Sequence, residues 1–292
     1  MLSRLAHFDE ARLHRLQQFV KWVVYTLLII NWLFYIAEDS NRAMHTLEPG
    51  DSIVKWLREF STSIDTSAWF ILLFMYELET YILEDKSWTG WVAKTVHGLR
   101  IVCFLMIAHT VVAYVASANE LAPTVLVDGA SGPCDVADQD ISWVYNLEYT
   151  DITSANCASI SGPTELYKVG DDPVVSSFDG LELERNLAAV DVIEVITWLL
   201  IILAIEIVVR LQERNVTSGS LITLAGRSKI LFYLVLFGLS AYWGLLGHWL
   251  YVWDTFLWIA GFAAIEMNIQ EWRDEIREET GAKPQPAPAQ GT

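Results

Sequence analysis

Long apolar stretches alternate with polar segments along the chain, and their length is the first structural signal. A helix needs about 20 mostly apolar residues to cross a bilayer. Stretches of this kind are found at residues 20–37, 67–84, 99–117, 191–211, 229–246 and 249–269. The pattern predicts an all-α integral membrane protein with six transmembrane helices in one bundle.

The positions of the basic residues predict how this bundle is oriented. Lysines and arginines precede the first span, lie between spans two and three and between spans four and five, and follow span six. Basic residues near the ends of spans stay on the cytoplasmic side. We therefore expect a multi-pass protein of the cell membrane, with both termini cytoplasmic and loops 38–66 and 117–190 outside.

Composition and charge narrow the possible functions. The chain has 292 residues, of which 53% are hydrophobic, and a net charge of −17. Residues 117–190 hold thirteen acidic and two basic residues, so this segment carries −11 of that charge. An acidic protein is a poor partner for nucleic acid. The chain has no phosphate loop, nucleotide fingerprint, nucleophile elbow, haem motif or catalytic metal spacing. We expect no enzyme activity, no cofactor and no metal.

Local patterns divide the chain into segments of different character. These are an amphipathic interfacial helix at 1–19, the first hairpin and the start of the second at 20–116, an extracytoplasmic acidic cap loop at 117–190, the remaining transmembrane helices at 191–270, and a cytoplasmic helix end with a disordered tail at 271–292. Cys134 and Cys157 both fall in the cap loop, and an oxidising compartment favours a disulfide between them. The cap loop is therefore predicted to be closed by this disulfide. Cys103 lies in span three and is expected to pack as a small apolar residue.

The first external loop contains a second amphipathic element. The stretch PGDSIVKWLREF, at 49–60, predicts a short helix capped near Asp51 or Ser52. Its apolar positions are Ile53, Trp56, Leu57 and Phe60. These side chains are expected to rest on the outer membrane surface.

The even-numbered spans share one spacing, in which an acid is followed after three residues by Trp and after seven more by Glu. The three copies are Asp65-Trp69-Glu77, Glu194-Trp198-Glu206 and Asp254-Trp258-Glu266. Self-similarity of this kind indicates an internal repeat. The chain is predicted to consist of three repeated helical hairpins, the last of which turns near Gly247.

The outer end of each repeat has two ordinary structural interpretations. The tryptophans share one depth with three aromatic residues of the odd-numbered spans, which is typical of a lipid-facing aromatic belt. Those three aromatic residues are Tyr35, Tyr114 and Trp243. Asp65, Glu194 and Asp254 are expected to cap the starts of their helices. Alternatively they form an outer acidic ring that attracts cations to a pathway.

The inner glutamates of the repeat are harder to explain by local structure. At 1.5 Å per residue they lie about 18 Å below the outer acids, too deep for capping. We call the predicted set at this depth the polar layer, and it consists of Glu77, Glu206, Glu266, His109 and Asn31. Ionisable residues inside a membrane mark an ion or proton path, a substrate or lipid site, or a buried pair.

These observations leave three functions open. The leading hypothesis is a channel or transporter that moves cations or protons past the three glutamates. The alternative is a non-transporting scaffold or complex subunit, in which Lys21, Arg100, Lys229 and Arg210 pair with the glutamates. Its outer cap would bind a partner protein or a second copy of the chain. A lipid-handling protein is the third possibility.

Overall fold

The computed structural model describes residues 2–78, 90–160, 165–212, 214 and 216–280. The side chain of Glu77 lies outside the described residues, and so do the side chains of residues 2–17. The described chain is mostly helical. Its α-helices are α1 (Leu2–Thr46), α2 (Ile53–Glu59), α3 (Ser61–Glu77), α4 (Trp91–Leu121), α5 (Phe178–Gln212), α6 (Ser220–Leu245) and α7 (Trp249–Thr280).

Four of these helices contain segments long and apolar enough to cross a membrane. The segments are Gln18–Thr46, Lys94–Leu121, Phe178–Gln212 and Ser220–Leu245, in α1, α4, α5 and α6. The fold is thus compatible with a multi-pass membrane protein. The further spans predicted in α3 and α7, and the threefold repeat, stay predictions.

Several helices begin well before the apolar stretches that predicted them. α1 is continuous from Leu2, so the boundary predicted after residue 19 is not a helix break. α3 begins at Ser61 and α5 at Phe178, before the stretches at 67–84 and 191–211, whereas α7 begins at Trp249, where its apolar stretch also begins. Asp65, Glu194 and Asp254 therefore lie inside their helices, and the prediction that they cap helix starts is wrong. Hydropathy marks only the part of a helix that suits lipid, whereas hydrogen bonding continues into polar surroundings.

The predicted cap loop at 117–190 includes the ends of α4 and α5. The part between these two helices, residues 122–177, contains a small sheet, and we call this part the cap. A 3₁₀ turn at Pro133–Val136 precedes β1 (Ser142–Tyr145), β2 (Glu148–Asp151), β3 (Tyr167–Lys168) and β4 (Val174–Ser176), and the strand order is β2-β1-β4-β3. β1 is antiparallel to β2 and parallel to β4. The predicted disulfide between Cys134 and Cys157 is confirmed, and Cys157 packs against Val136, Ile152 and Leu166.

The chain folds into two compact units. The first unit consists of the described parts of Met1–Asn31, Phe70–Arg100 and Thr197–Thr292. In it, α6 and α7 form a hairpin whose turn contains Gly247 at a φ of 91°, a conformation that favours glycine. The predicted turn is thus confirmed.

The second unit consists of Trp32–Trp69 and the described parts of Ile101–Ile196, and includes the cap. Its short helix α2 begins as predicted, because the Ser52 hydroxyl accepts a hydrogen bond from the Lys55 amide at 3.3 Å. Ile53 and Trp56 are exposed on α2. At the start of α5, Gly180 lies so close to the Ser176 hydroxyl that an added Cβ would collide with it.

Candidate functional site

Glu206, a member of the polar layer, lies at ion-pair distance from two arginines. Its Oε1 lies 2.8 Å from Arg210 Nε, one turn further along α5, and 3.4 Å from Arg100 Nη1 on α4. The i,i+4 spacing brings the first partner to the same helix face. Arg100 is fully buried, with 1% of its surface exposed, and Glu206 is 8% exposed. The carboxylate is therefore neutralised inside the first unit.

Glu266 has a similar arrangement on α7. Its Oε1 lies 3.0 Å from Lys229 Nζ and accepts a hydrogen bond of 3.0 Å from the Tyr233 hydroxyl. Lys229 and Tyr233 are one turn apart on α6, so both reach the same point of the facing helix. The glutamate thus connects the two helices of the hairpin.

Asn31 and His109 do not lie where the polar layer predicts them. The Asn31 Nδ2 donates a hydrogen bond to Asp254 Oδ1, so a member of the polar layer pairs with a member of the outer acidic ring. His109 belongs to the second unit, and its Nε2 lies 3.4 Å from the Leu57 carbonyl oxygen. Depth counted from assumed helix starts cannot separate the two predicted levels, because the helices begin earlier than the apolar stretches.

The tryptophans of the repeat are buried, so the prediction of a lipid-facing belt is wrong for them. Trp69, Trp198 and Trp258 are at most 9% exposed. The Trp69 Nε1 donates to Asp65 Oδ2 at 2.9 Å, across one helical turn. A carboxylate at this spacing gives the indole N–H an acceptor without contact with lipid headgroups. Two of these indole rings pack against the same phenylalanine: the ring centroids of Trp198 and Trp258 lie 5.7 and 6.1 Å from that of Phe262.

The outer acids are also divided between the units. Asp65 and Glu194 belong to the second unit, whereas Asp254 belongs to the first. Asp65 is bonded to its own helix neighbour, and Asp254 is bonded to Asn31. The sequence alone predicted a single ring of three equivalent acids.

Sequence reasoning missed a polar cavity in the second unit. The cavity has a volume of about 120 Å³ and is lined by residues of α1, α2, α3, α4, α5 and the cap. Its charged and aromatic lining includes Arg42, Arg58, Glu59, Tyr149, Glu184 and Asp191. These residues are scattered over 150 positions of the chain, and no local spacing connects them.

Ion pairs organise one side of the cavity. Arg42 Nε lies 3.3 Å from Glu59 Oε2, which also accepts a hydrogen bond of 2.9 Å from the Thr46 hydroxyl. Arg58 pairs with Glu120 of α4. Arg42 also lies 3.3 Å from Asp39 Oδ1, so three carboxylates surround the two arginines. The Arg42–Glu59 pair connects α2 to α1, and the Arg58–Glu120 pair connects α2 to α4.

A lysine connects α2 to the cap at the edge of the cavity. Lys55 Nζ lies 3.0 Å from Asp51 Oδ2 and 3.0 Å from Asp172 Oδ1. The Glu48 backbone N–H, which hydrogen-bonds to Asp51, holds the pKa of that carboxyl below its ordinary value. Burial raises the pKa of Asp172 above its ordinary value, although Lys55 opposes this. The two carboxylates therefore differ in how firmly they hold a proton.

The α5 side of the cavity is acidic. Glu184, 4% exposed, accepts a hydrogen bond of 3.1 Å from the Leu147 amide, which fixes its orientation. Asp191 lies two turns further along the same helix face. Within the described chain, neither carboxylate has a lysine, arginine or histidine at ion-pair distance. This wall therefore has two carboxyl groups that no basic side chain of the described residues contacts directly.

Comparison of the chain with protein-family models, with curated proteins and with solved structures finds no match in any of the three.

Proposed function

We propose that this chain is a non-transporting membrane protein whose polar layer holds helices together and whose cap faces the outside to bind a partner. The observation that carries the proposal is the pairing of Glu206 and Glu266 with basic side chains of their own or neighbouring helices. Carboxylates that serve as a cation path need free oxygen atoms, and these oxygens already accept contacts from protein.

The bases near the two glutamates also favour a structural role. Among the described side chains, Glu206 lies at ion-pair distance from Arg100 and Arg210, and Glu266 lies at ion-pair distance from Lys229. A cation brought to 4 Å from one of these bases meets a repulsion of about 4 kcal/mol at an effective dielectric constant of 20. Paired polar groups of this kind suit helix association.

The cap supports the proposed orientation. Its disulfide suits an oxidising compartment, and the cytoplasm is reducing. The distribution of basic residues independently supports a cap on the outside and both termini in the cytoplasm. The acidic surface of the cap is then available to a partner protein with basic groups, or to a second copy through another face.

The test is flux through proteoliposomes that contain the purified full-length protein. We expect no proton or cation flux from the wild type, and we expect Glu206→Gln and Glu266→Gln to lower the melting temperature. Glu182→Gln, on an exposed position of α5, is the matched control and should melt like the wild type. Wild-type flux that disappears in a folded glutamate variant would establish the transport hypothesis instead.

A second measurement addresses the partner. Chemical cross-linking in membranes, followed by size-exclusion chromatography, should show the chain in a complex larger than a monomer. A monomer in the native membrane would remove the scaffold part of the proposal.

A further inference from the structure

The short helix α2 has its apolar residues on the outside of the second unit and its polar residues on the inside. Glu59 is only 7% exposed, whereas the apolar side chains have between 42% and 72% of their surface exposed. These apolar side chains are Ile53, Val54, Trp56 and Leu57. A helix on a water-facing surface shows the opposite arrangement, with its apolar stripe toward the core. The reversal indicates that the surroundings of this face are apolar.

The polar side chains of α2 hold the helix in this rotation. They form ion pairs with three different elements: Lys55 with Asp172 of the cap, Arg58 with Glu120 of α4, and Glu59 with Arg42 of α1. The three polar residues are three or four positions apart, so they share one face of the helix. Turning the apolar face inward would break all three pairs. The outward direction of the apolar face is therefore fixed by the fold.

The position of α2 along α4 indicates which apolar medium covers this face. The His109 Nε2 lies 3.4 Å from the Leu57 carbonyl oxygen. His109 belongs to the apolar segment Lys94–Leu121, which is about 42 Å long at 1.5 Å per residue. The residue lies about 22 Å from the start of this segment and about 18 Å from its end. Wherever a hydrocarbon core of about 30 Å is placed along the segment, His109 falls within it. Leu57 therefore contacts a part of α4 that suits lipid.

The exposed apolar surface continues from α2 onto α4. Val112 lies one turn beyond His109 on the same side of α4, and it is exposed. On α2, the Trp56 ring stacks on Phe60 with ring centroids 6.1 Å apart, so the indole lies along the helix surface. Tryptophan is enriched where hydrocarbon meets the polar headgroups, because its ring is apolar and its N–H is polar. Both features are typical of the boundary between headgroups and acyl chains.

The size of the face decides between lipid and a protein partner. A helix of seven residues is about 10 Å long and about 10 Å wide, so its exposed face offers on the order of 100 Å². A stable protein interface needs about 800 Å² from each partner. Lipid contact has no such minimum, since its contribution scales with the apolar area that is buried. We propose that α2 is an interfacial membrane anchor, whose apolar face lies among the acyl chains of the leaflet on the cap side.

This inference goes beyond the proposed function, because it concerns the contact of α2 with the bilayer whether or not the cap binds a partner. It rests on the membrane position of α4, and the Lys55–Asp172 pair then holds the cap close to the membrane surface. The depth of α2 is measured without flux and without a partner. A failure of this inference is therefore distinguishable from a failure of the proposed function.

The experiment is electron paramagnetic resonance of a nitroxide label in proteoliposomes that contain the purified full-length protein. The label is attached at Val54→Cys in a Cys103→Ala background, in which Cys134 and Cys157 keep their disulfide. Oxygen concentrates in the bilayer and a nickel chelate stays in water, so the ratio of their collision rates with the label reports its depth. We expect the label at a depth of about 5–10 Å in the boundary between headgroups and acyl chains.

Matched labels separate lipid contact from other causes. Ile53→Cys, on the same face, should report a similar depth, and it replaces Val54→Cys if that variant does not fold. Thr150→Cys, exposed on β2 of the cap, should collide more often with the nickel chelate than with oxygen. The same preference for the nickel chelate at both α2 positions overturns the proposal. A label on α2 that neither reagent reaches would mean that protein, such as a second copy of the chain, covers the face, and this outcome overturns the proposal as well.

Discussion

The contact between Arg100 and Glu206 is the one whose loss we expect to cost most. Arg100 is 1% exposed, and in Glu206→Gln its charge would stay buried without the carboxylate that lies 3.4 Å from it. Removing one partner of a buried ion pair costs about 3–5 kcal/mol. Arg210→Gln should cost only about 0–1 kcal/mol, although its 2.8 Å contact is shorter, because the Arg210 side chain is 48% exposed. The burial of the partner, rather than the length of the contact, therefore decides which substitution costs more stability.

The assay is thermal unfolding in detergent, followed by size-exclusion chromatography of the soluble fraction. At about 2–4 °C per kcal/mol for a chain of this size class, Glu206→Gln should melt about 10 °C below the wild type. Arg210→Gln should melt within about 4 °C of it. Arg100→Met/Glu206→Gln should recover much of the loss, because no buried charge is left at Arg100. Equal losses for Glu206→Gln and Arg210→Gln, or additive losses in the double variant, would refute this reasoning.

Three other perturbations test separate features of the fold. Cys134→Ser/Cys157→Ser opens a loop with a sequence separation of 23 and should cost about 3 kcal/mol, measured as the free energy of unfolding of the second unit in urea. Gly180→Ala should destabilise by about 1–3 kcal/mol through its collision, whereas Gly226→Ala, with open space around it in α6, should stabilise by up to about 1 kcal/mol; equal melting temperatures would contradict this. Burial raises the pKa of Asp172, so its stabilising contribution is complete below the ordinary pKa of 3.8 and is lost as the pH rises through the raised value. The melting temperature should therefore fall less between pH 4 and pH 7 in Asp172→Asn than in the wild type.

Features that depend on neighbouring residues could be predicted from the sequence. Ser52 caps α2 because its hydroxyl needs only the amide three residues later. Gly247 marks the α6–α7 turn because a positive φ favours glycine. The disulfide followed from two cysteines in one loop of an otherwise cysteine-poor chain. None of these required knowledge of which helices pack together.

Features that depend on distant residues could not be predicted. The strands contain two to four residues each, too few to show an alternating pattern, and β1 pairs in parallel with β4 at Ser142 and Val174. The burial of Trp69 depends on which elements pack around it, and the hydrogen bond to Asp65, four residues earlier, would be possible in a lipid-facing belt as well. The cavity is built from at least five elements and leaves no local signature.

The ion pairs of the polar layer could be predicted only in part. The sequence indicated that Arg100, Arg210 and Lys229 could reach the glutamates, and those contacts are present. It could not decide between this pairing and free carboxylates, because the rotation of each helix about its axis is set by packing along its whole length. Asn31 illustrates the same limit, since it pairs with Asp254 rather than with a residue of its predicted depth.

The order of the cap along the chain has a consequence for synthesis. The bridge from Cys134 to Cys157 encloses β1 and β2 completely, while β3 and β4 follow it. A ribosome adds about 5–20 residues per second, so the start of β4 at Val174 follows Cys157 by about 1–3 s. In an oxidising compartment the β1–β2 hairpin can thus be covalently closed before its parallel partner exists. In that order of events, β4 pairs with a hairpin that the disulfide has already closed.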